Sequence, residues 1–328
     1  DHCGQRIARG GADIAMSVIC LVGCGMIARV HVKNLVGKAE LSFCSRTRAS
    51  AEALSREYGG GQVFDSYDQV LDSDVDAVLI SSPPEAHREQ VIAALAAGKG
   101  VLVEKPLCAT EADLEAIGAA LRDDSLLMVA ENYYYKPSLK VIKWIISHGF
   151  IGEIQRVETG KRFAQTTSGW KSRYGALLEG GIHFVALGAD LFGNETIRHV
   201  TAEFPGHVAG KPERNSVVRV AYAGGAELVL RYAWNAFSPT KGTLQHSRVE
   251  GTAGRVVFES NGIYVRLKGR RKRLYFPGMR DLMGYGAMTR DFLQCLQEPG
   301  KKPYADFSRA ERDLYIVFAA YKRLEGRQ

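Results

Sequence analysis

Between Val18 and Glu131, short runs of apolar residues alternate with amphipathic segments, and few architectures accept that pattern. The apolar runs are Val18–Val22, Leu41–Cys44, Ala77–Ser81, Val101–Val103 and Leu126–Ala130, with a weaker candidate at Val63-Phe64. Helical periodicity fills the intervals at Met26–Leu35, Ala49–Tyr58, Glu85–Ala97 and Glu111–Leu121. Strands apolar on both faces must be covered on both faces, and strands joined through helices run parallel. The pattern predicts an α/β domain built on a doubly wound parallel sheet. A helix follows from about Ser138, read as its N-cap, to Ser147, with Gly149 as its stop.

After Ile151 the texture changes. Alternating segments dominate, at 153–163, 199–204, 216–222, 226–234, 247–250, 255–259 and 263–268. One helix, about Ile182–Phe192, interrupts them, and Met283–Leu296 and Arg309–Leu324 close the chain. This reads as an α+β domain with an open, largely antiparallel sheet and helices on one face. At 328 residues the chain exceeds what one core usually fills. The expected division is an extension over 1–16, a nucleotide-binding domain over 17–135 and a second domain over 136–328.

Gly23-Cys24-Gly25-Met26-Ile27-Ala28 joins the first strand to the first helix. In that context Gly23 allows a tight turn, Gly25 lets backbone approach a pyrophosphate, and Ala28 permits close helix–strand packing. The N–H groups of Met26 and Ile27, at the positive end of the helix dipole, face the phosphate. This is the dinucleotide turn of a Rossmann domain. A site for NAD would end the second strand in an acid that accepts from the ribose 2′-hydroxyl; here the residues are Cys44-Ser45-Arg46-Thr47-Arg48. Ser45 can donate to a 2′-phosphate and Arg46 can pair with it through its planar fork, so NADP(H) is favoured and NAD(H) remains possible. Ligands of such sheets lie beyond the C-terminal strand ends. Three loops emerge there: Ser81-Ser82-Pro83-Pro84-Glu85-Ala86-His87, Glu104-Lys105-Pro106 and Glu131-Asn132-Tyr133-Tyr134. Ser81, Pro83, His87, Glu104 and Lys105 complete the expected cofactor set, with Pro83-Pro84 walling the nicotinamide half and His87 reading more as a structural donor.

Forty-three basic and 36 acidic residues leave a net charge of +7, spread along the chain. The densest basic run, Lys268 to Arg273, straddles an expected hairpin turn between Tyr264-Val265 and Leu274-Tyr275-Phe276 and reads as a solvated edge, so no nucleic-acid partner is expected. Six cysteines without CxxC or Cys/His spacing imply neither a disulfide framework nor a metal site. No apolar run reaches membrane length, and residues 1–15 lack the apolar stretch of a signal peptide. A cytoplasmic protein without membrane partners is the expectation.

The glycine turn, the Pro83-Pro84 loop with His87, Glu104-Lys105-Pro106, Gly149-x-x-Gly152-Glu153-Ile154 and Gly180-Gly181-Ile182-His183 occur in an order that resembles the glucose–fructose oxidoreductase / inositol dehydrogenase (Gfo/Idh/MocA) family. The resemblance runs from about Val18 to the C-terminus. It implies hydride transfer between NAD(P) and a hydroxyl-bearing carbon, often on a sugar or cyclitol, and a homodimer or homotetramer assembled through the open sheet. By position, Lys105 matches the family's active-site lysine, His183 its catalytic histidine, and the Lys105–Pro106 peptide is implied to be cis. An ammonium stabilises negative charge developing on a carbonyl oxygen. An imidazole suits transfer of the hydroxyl proton, worth on the order of 10²–10⁴ in rate.

Departures concern the substrate. Glu179 stands where relatives often carry Asp four residues before the histidine, Ala186 where they often carry Asp three after it, and Tyr133-Tyr134-Tyr135 where many carry Arg. Trp170 and Lys171 lie in the loop before the histidine with Arg173 and Tyr174. The expected substrate set is Lys105, Tyr133, Tyr134, Trp170, Lys171, Glu179 and His183. The leading reading is an NADP-dependent oxidoreductase acting on a secondary alcohol or ketone of a polyhydroxylated small molecule. The alternatives are a reductase of a non-sugar diol, ketone or imine, and a catalytically idle dinucleotide-binding regulator.

Overall fold

The computed structural model describes residues 16–325; the expected extension, Met16 apart, lies outside them. The first domain runs β1 (Val18–Val22), α1 (Met26–Leu35), β2 (Glu40–Cys44), α2 (Arg48–Glu57), β3 (Val63–Phe64), α3 (Tyr67–Leu71), β4 (Ala77–Ile80), α4 (His87–Ala96), β5 (Gly100–Val103), α5 (Glu111–Ala120) and β6 (Leu127–Val129). All six strands are parallel, in the order β3-β2-β1-β4-β5-β6. The order reverses at β1, so a crevice opens between the C-terminal ends of β1 and β4. Each apolar run became a strand within a residue of its expected bounds. The short α3 was not foreseen, because five residues hold too little periodicity to register; its cap, Ser66 accepting from the Gln69 N–H at 3.2 Å, is what starts it.

Next come α6 (Pro137–Ser147), β7 (Ile154–Arg162), α7 (Ile182–Ala189), β8 (Ile197–Glu203), β9 (Asn215–Tyr222), β10 (Glu227–Ala233), β11 (His246–Gly251), β12 (Gly254–Glu259), β13 (Val265–Gly269), β14 (Lys272–Tyr275), α8 (Tyr285–Gln297) and α9 (Phe307–Glu325). Ser138 does not cap α6: Lys136 holds that position and Pro137 takes the first helical turn, where its missing N–H costs nothing. The eight strands order as β14-β13-β12-β11-β7-β10-β9-β8. Only β7 and β10 pair in parallel, so the sheet is mixed and mostly antiparallel, as expected. Helices α7 and α9 cover one face. The other is lined by charges joined laterally, Arg156 to Glu158 and Glu227, and Arg248 to Glu158. The basic run forms the exposed β13–β14 hairpin.

The two domains share their interior. One buried cluster extends from Val22, Ile80 and Val103 through Leu107 to Leu177, Val185 and Leu230. A second joins Ile19, Leu21 and Leu79 of the parallel sheet to Met288, Phe292 and Leu293 of α8. Helix α8 therefore returns across the sequence boundary and packs against α1. Among the described residues no helix is long and apolar enough to cross a membrane.

Phe292 is fully buried at that return. Phe292→Ala is expected to cost about 3–5 kcal/mol, and urea denaturation should show it as a lowered midpoint for the first domain, far from the mutated residue in sequence.

Candidate active site

The glycine turn is built as expected. Gly23 has φ +89°, and a Cβ there would stand 2.7 Å from the Ser82 nitrogen, so glycine is required on both counts. Its N–H donates to the Cys44 carbonyl at 2.8 Å, and the Ser81 hydroxyl donates to the Gly23 carbonyl at 2.6 Å. Ser81 thus serves the turn itself. Gly25, the N-cap of α1, has open space where a Cβ would point. No side chain caps α1 and its first turn holds no acid, leaving the N–H groups of Met26 and Ile27 unopposed. Met26 is 87% exposed. A helix N-terminus with bare backbone and open space before it fits a dinucleotide pyrophosphate. At the end of β2, Ser45 is half-buried and Arg46 is exposed, with no ion pair among the described residues. Arg48 is occupied by Glu52 and Asp65.

The three loops beyond the strand ends meet, but not every side chain faces the crevice. Pro83 is exposed, and a short helical turn, Pro84–Ala86, follows it. His87 is fully buried, its ring between the Ser82 carbonyl at 2.9 Å and the Pro106 carbonyl at 3.0 Å. Burial pushes its pKa down, against the two carbonyls, which favour the charged ring. The expected cofactor contact is corrected: His87 ties the proline loop to the Lys105 loop. Glu104 is likewise turned inward, paired through Oε1 with His31 Nε2 at 2.6 Å and accepting the Lys105 N–H on Oε2 at 3.2 Å. Burial raises its pKa, but the His31 bond, with the charges of His31 and Lys105, outweighs burial and holds the carboxyl below its usual range. The His31 partner went unforeseen because it lies 73 residues away on α1.

Lys105 follows β5, and the Lys105–Pro106 peptide is cis. Its ammonium donates to the Glu179 carbonyl at 2.6 Å, so a side chain from the first domain engages the backbone of the second. Glu179 lies in a π-helical turn, Leu177–Gly181, that was not expected and runs into α7, the helix expected from Ile182. Such turns recur at functional sites because the extra residue re-aims side chains. The Glu179 carboxylate is buried and pairs with Lys171 at 2.7 Å. Burial would raise its pKa, but Lys105 and Lys171 prevail and hold it low. Glu213 caps the turn, accepting from the Ala176 and Leu177 N–H groups at 3.0 and 2.8 Å. The side chain of Trp170 lies outside the described residues.

His183 sits one turn further on, its Nδ1 2.7 Å from Glu131 Oε1. Tyr133 stacks on the imidazole, centroids 4.5 Å apart and planes at 15°. Tyr134 does not join it. Its hydroxyl is spent on Asp313 and Arg312 in the core, which corrects the expected substrate contact. Trp234 also faces inward, donating to the Tyr232 hydroxyl at 3.2 Å. The sequence alone assigned no role to Glu131, which stands in the third loop, or to Lys136, two residues beyond it. Lys136 is fully buried, with its ammonium 4.1 Å from the Tyr133 ring centre.

Lys105, Glu179 and His183 thus converge where a parallel sheet binds dinucleotides, and among the described residues no cluster could hold a metal ion. An ammonium, a carboxylate and an imidazole at one crevice can bind hydroxyls and move a proton. The fold defines a two-domain protein of the Rossmann class. Residues 18–132 match the family described as "Oxidoreductase family, NAD-binding Rossmann fold", the Gfo/Idh/MocA family that the motif order resembles. It is 28% identical over 216 residues, 62% of this chain and 65% of the relative, to trans-1,2-dihydrobenzene-1,2-diol dehydrogenase from Oryctolagus cuniculus. It is 30% identical over 222 residues, 65% of this chain and 62% of the relative, to inositol 2-dehydrogenase 2 from Saccharopolyspora erythraea. Both matches span just under two thirds of the relatives' length. The fold is shared with an oxidoreductase from Agrobacterium radiobacter solved with NAD+, L-tartaric acid and magnesium (TM-score 0.85, 18% identity, 96% of this chain and 98% of that one).

Burial pushes the Lys136 pKa down to about 8, with Glu259 opposing and Lys161 reinforcing the shift. The folded value lies below the ordinary 10.5, so the cost of burying the charge is fully present below pH 8 and fades between 8 and 10.5. Lys136→Met should therefore be more stable than wild type at pH 7, by up to about 3 kcal/mol. That advantage should shrink as urea titrations move above pH 8; a constant difference would mean packing, not charge, is responsible.

Proposed function

We propose that the chain is an NADP-dependent oxidoreductase that transfers a hydride between the nicotinamide and a secondary alcohol or ketone carbon of a sugar, cyclitol or related polyol. One observation carries the reading. The Lys105 ammonium reaches 2.6 Å to the Glu179 carbonyl, one turn ahead of His183, at the ligand edge of the parallel sheet. The nicotinamide, when bound, supplies or accepts the hydride. Lys105 stabilises negative charge on the substrate oxygen. His183 gives that oxygen its proton in reduction and removes it in oxidation. Glu179, kept ionised by Lys105 and Lys171, accepts hydrogen bonds from neighbouring hydroxyls. Lys171, Trp170 and the Tyr133 ring complete the substrate set, and the names of the inositol and diol dehydrogenases support a ring bearing adjacent hydroxyls. Assembly through the open, charged sheet face belongs to the same reading.

NADP is favoured over NAD because β2 ends without an acid and the exposed Arg46 has no ion pair among the described residues. Calorimetric titration should show NADP+ binding more tightly than NAD+. Arg46→Ala should weaken NADP+ by about 10–100-fold, the worth of a charge-assisted pair, and change NAD+ little. Tighter binding of NAD+ to the wild type would refute the assignment.

A panel of inositols, sugars and cyclic diols, followed by NADPH absorbance, tests the chemistry. Lys105→Met and His183→Ala are each expected to lower kcat/KM by about 10²–10⁴ on whatever substrate responds. Wild-type rates in both variants would eliminate the mechanism, and binding of NADPH without turnover of any compound would favour an idle regulator.

A further inference from the structure

We propose that Glu131 is a positioning residue for His183, holding the imidazole in the tautomer that carries its hydrogen on Nδ1 and presents a free Nε2 to the substrate oxygen. The proposal rests on the reading of His183 as the proton-transferring group. It adds the residue that decides which nitrogen does the work.

Glu131 follows β6, in the third of the loops at the ligand edge. Its side chain is buried, with 4% of the residue exposed, and a buried carboxylate is costly unless a cation or hydrogen-bond donors meet it. Oε1 has two donors, His183 Nδ1 at 2.7 Å and the Tyr133 N–H at 3.1 Å. An ionised carboxylate can only accept, so the hydrogen of this short bond belongs to Nδ1 and the lone pair to Nε2. In neutral imidazole the bond made by one nitrogen sets the role of the other. Nε2 makes no hydrogen bond among the described residues, and the side chain retains 18% exposure. An acidic residue used only to cap its loop would need the Tyr133 N–H alone.

The ring's plane is fixed separately. Tyr133 stacks against it, and Lys136 lies over the Tyr133 ring. A hydrogen bond leaves an imidazole free to swing about the bond axis, whereas a stacked face stops that swing. Tyr133 is itself tied to Glu131 through its N–H, so both constraints come from one loop. The other oxygen, Oε2, is buried without a partner among the described residues. Glu131 also borders a small, partly open cavity of about 10 Å³ shared with Lys105, Tyr134 and Asp313. That is the size of one water molecule, which would complete the carboxylate's hydrogen bonding.

Charged and titratable groups meet the pair from every neighbouring element. Glu104 and Lys105 approach from β5, Glu179 from the π-helical turn, Lys136 from the head of α6, Tyr285 from α8 and Asp313 from α9. A pH profile of activity would mix their titrations. The tautomer isolates the pair.

Two-bond 1H–15N spectra of 15N-histidine-labelled full-length protein, with and without NADP+, read the tautomer directly; His183→Gln assigns the signal. Above the pH at which the ring loses its charge, wild-type His183 is expected to be protonated on Nδ1. Glu131→Met should lose that tautomer, while Glu131→Gln, whose amide oxygen can still accept, should keep it. A wild-type spectrum with hydrogen on Nε2 overturns the proposal without any variant, and so does a folded Glu131→Met protein that retains Nδ1–H. The spectrum needs no substrate, so this failure is distinguishable from a failure of the hydride-transfer reading.

Discussion

The loop after β5 is held from both sides, and the site depends on that double grip. Glu104 points back to His31 on α1, the helix that opens at the glycine turn. Lys105, the next residue, points forward to the Glu179 carbonyl in the second domain. Adjacent residues with opposite charges thus take opposite directions, one securing the helix that follows the glycine turn and the other the π-helical turn that leads into α7 and His183. Each charge would be expensive to bury alone. Glu104 is matched by His31 and the Lys105 N–H, and Lys105 by a carbonyl at 2.6 Å.

The second domain reaches the loop through an unusual turn. Residues 177–181 form a π-helical turn capped by Glu213 and lying against Tyr232 of β10. At Gly180 a Cβ would stand 2.2 Å from the Tyr232 hydroxyl oxygen, so only glycine lets the turn sit so close to the sheet. This approach places the Glu179 backbone against Lys105. It also aims the Glu179 side chain at Lys171. A regular helix over the same residues would rotate successive side chains by a different increment and part them.

Much of this was legible because it is local. The strand runs of the first domain, the glycine turn and the alternating segments of the second are patterns within a few residues of sequence, and each formed nearly where expected. Resemblance to known relatives pointed to Lys105 and His183. The errors share a cause. His87, Glu104 and Tyr134 were read as facing a ligand because they stand in loops at the ligand edge. Their side chains instead turn to partners distant in sequence: Pro106, His31, and the Arg312–Asp313 pair of α9. Glu131 was overlooked for the converse reason, since its partner, His183, lies 52 residues away.

By itself the sequence determined the order of strands and helices, the bare glycine turn and the absence of an acid after β2. Hydrophobic periodicity and glycine stereochemistry act over a few residues, and no distant contact is needed to express them. Only the tertiary structure decided which polar side chains face the crevice and which are spent inside. A buried charge must find a partner wherever the fold brings one, and that partner is set by packing rather than by spacing along the chain. Glu131 beside His183, and Lys105 against Glu179, are contacts of that kind.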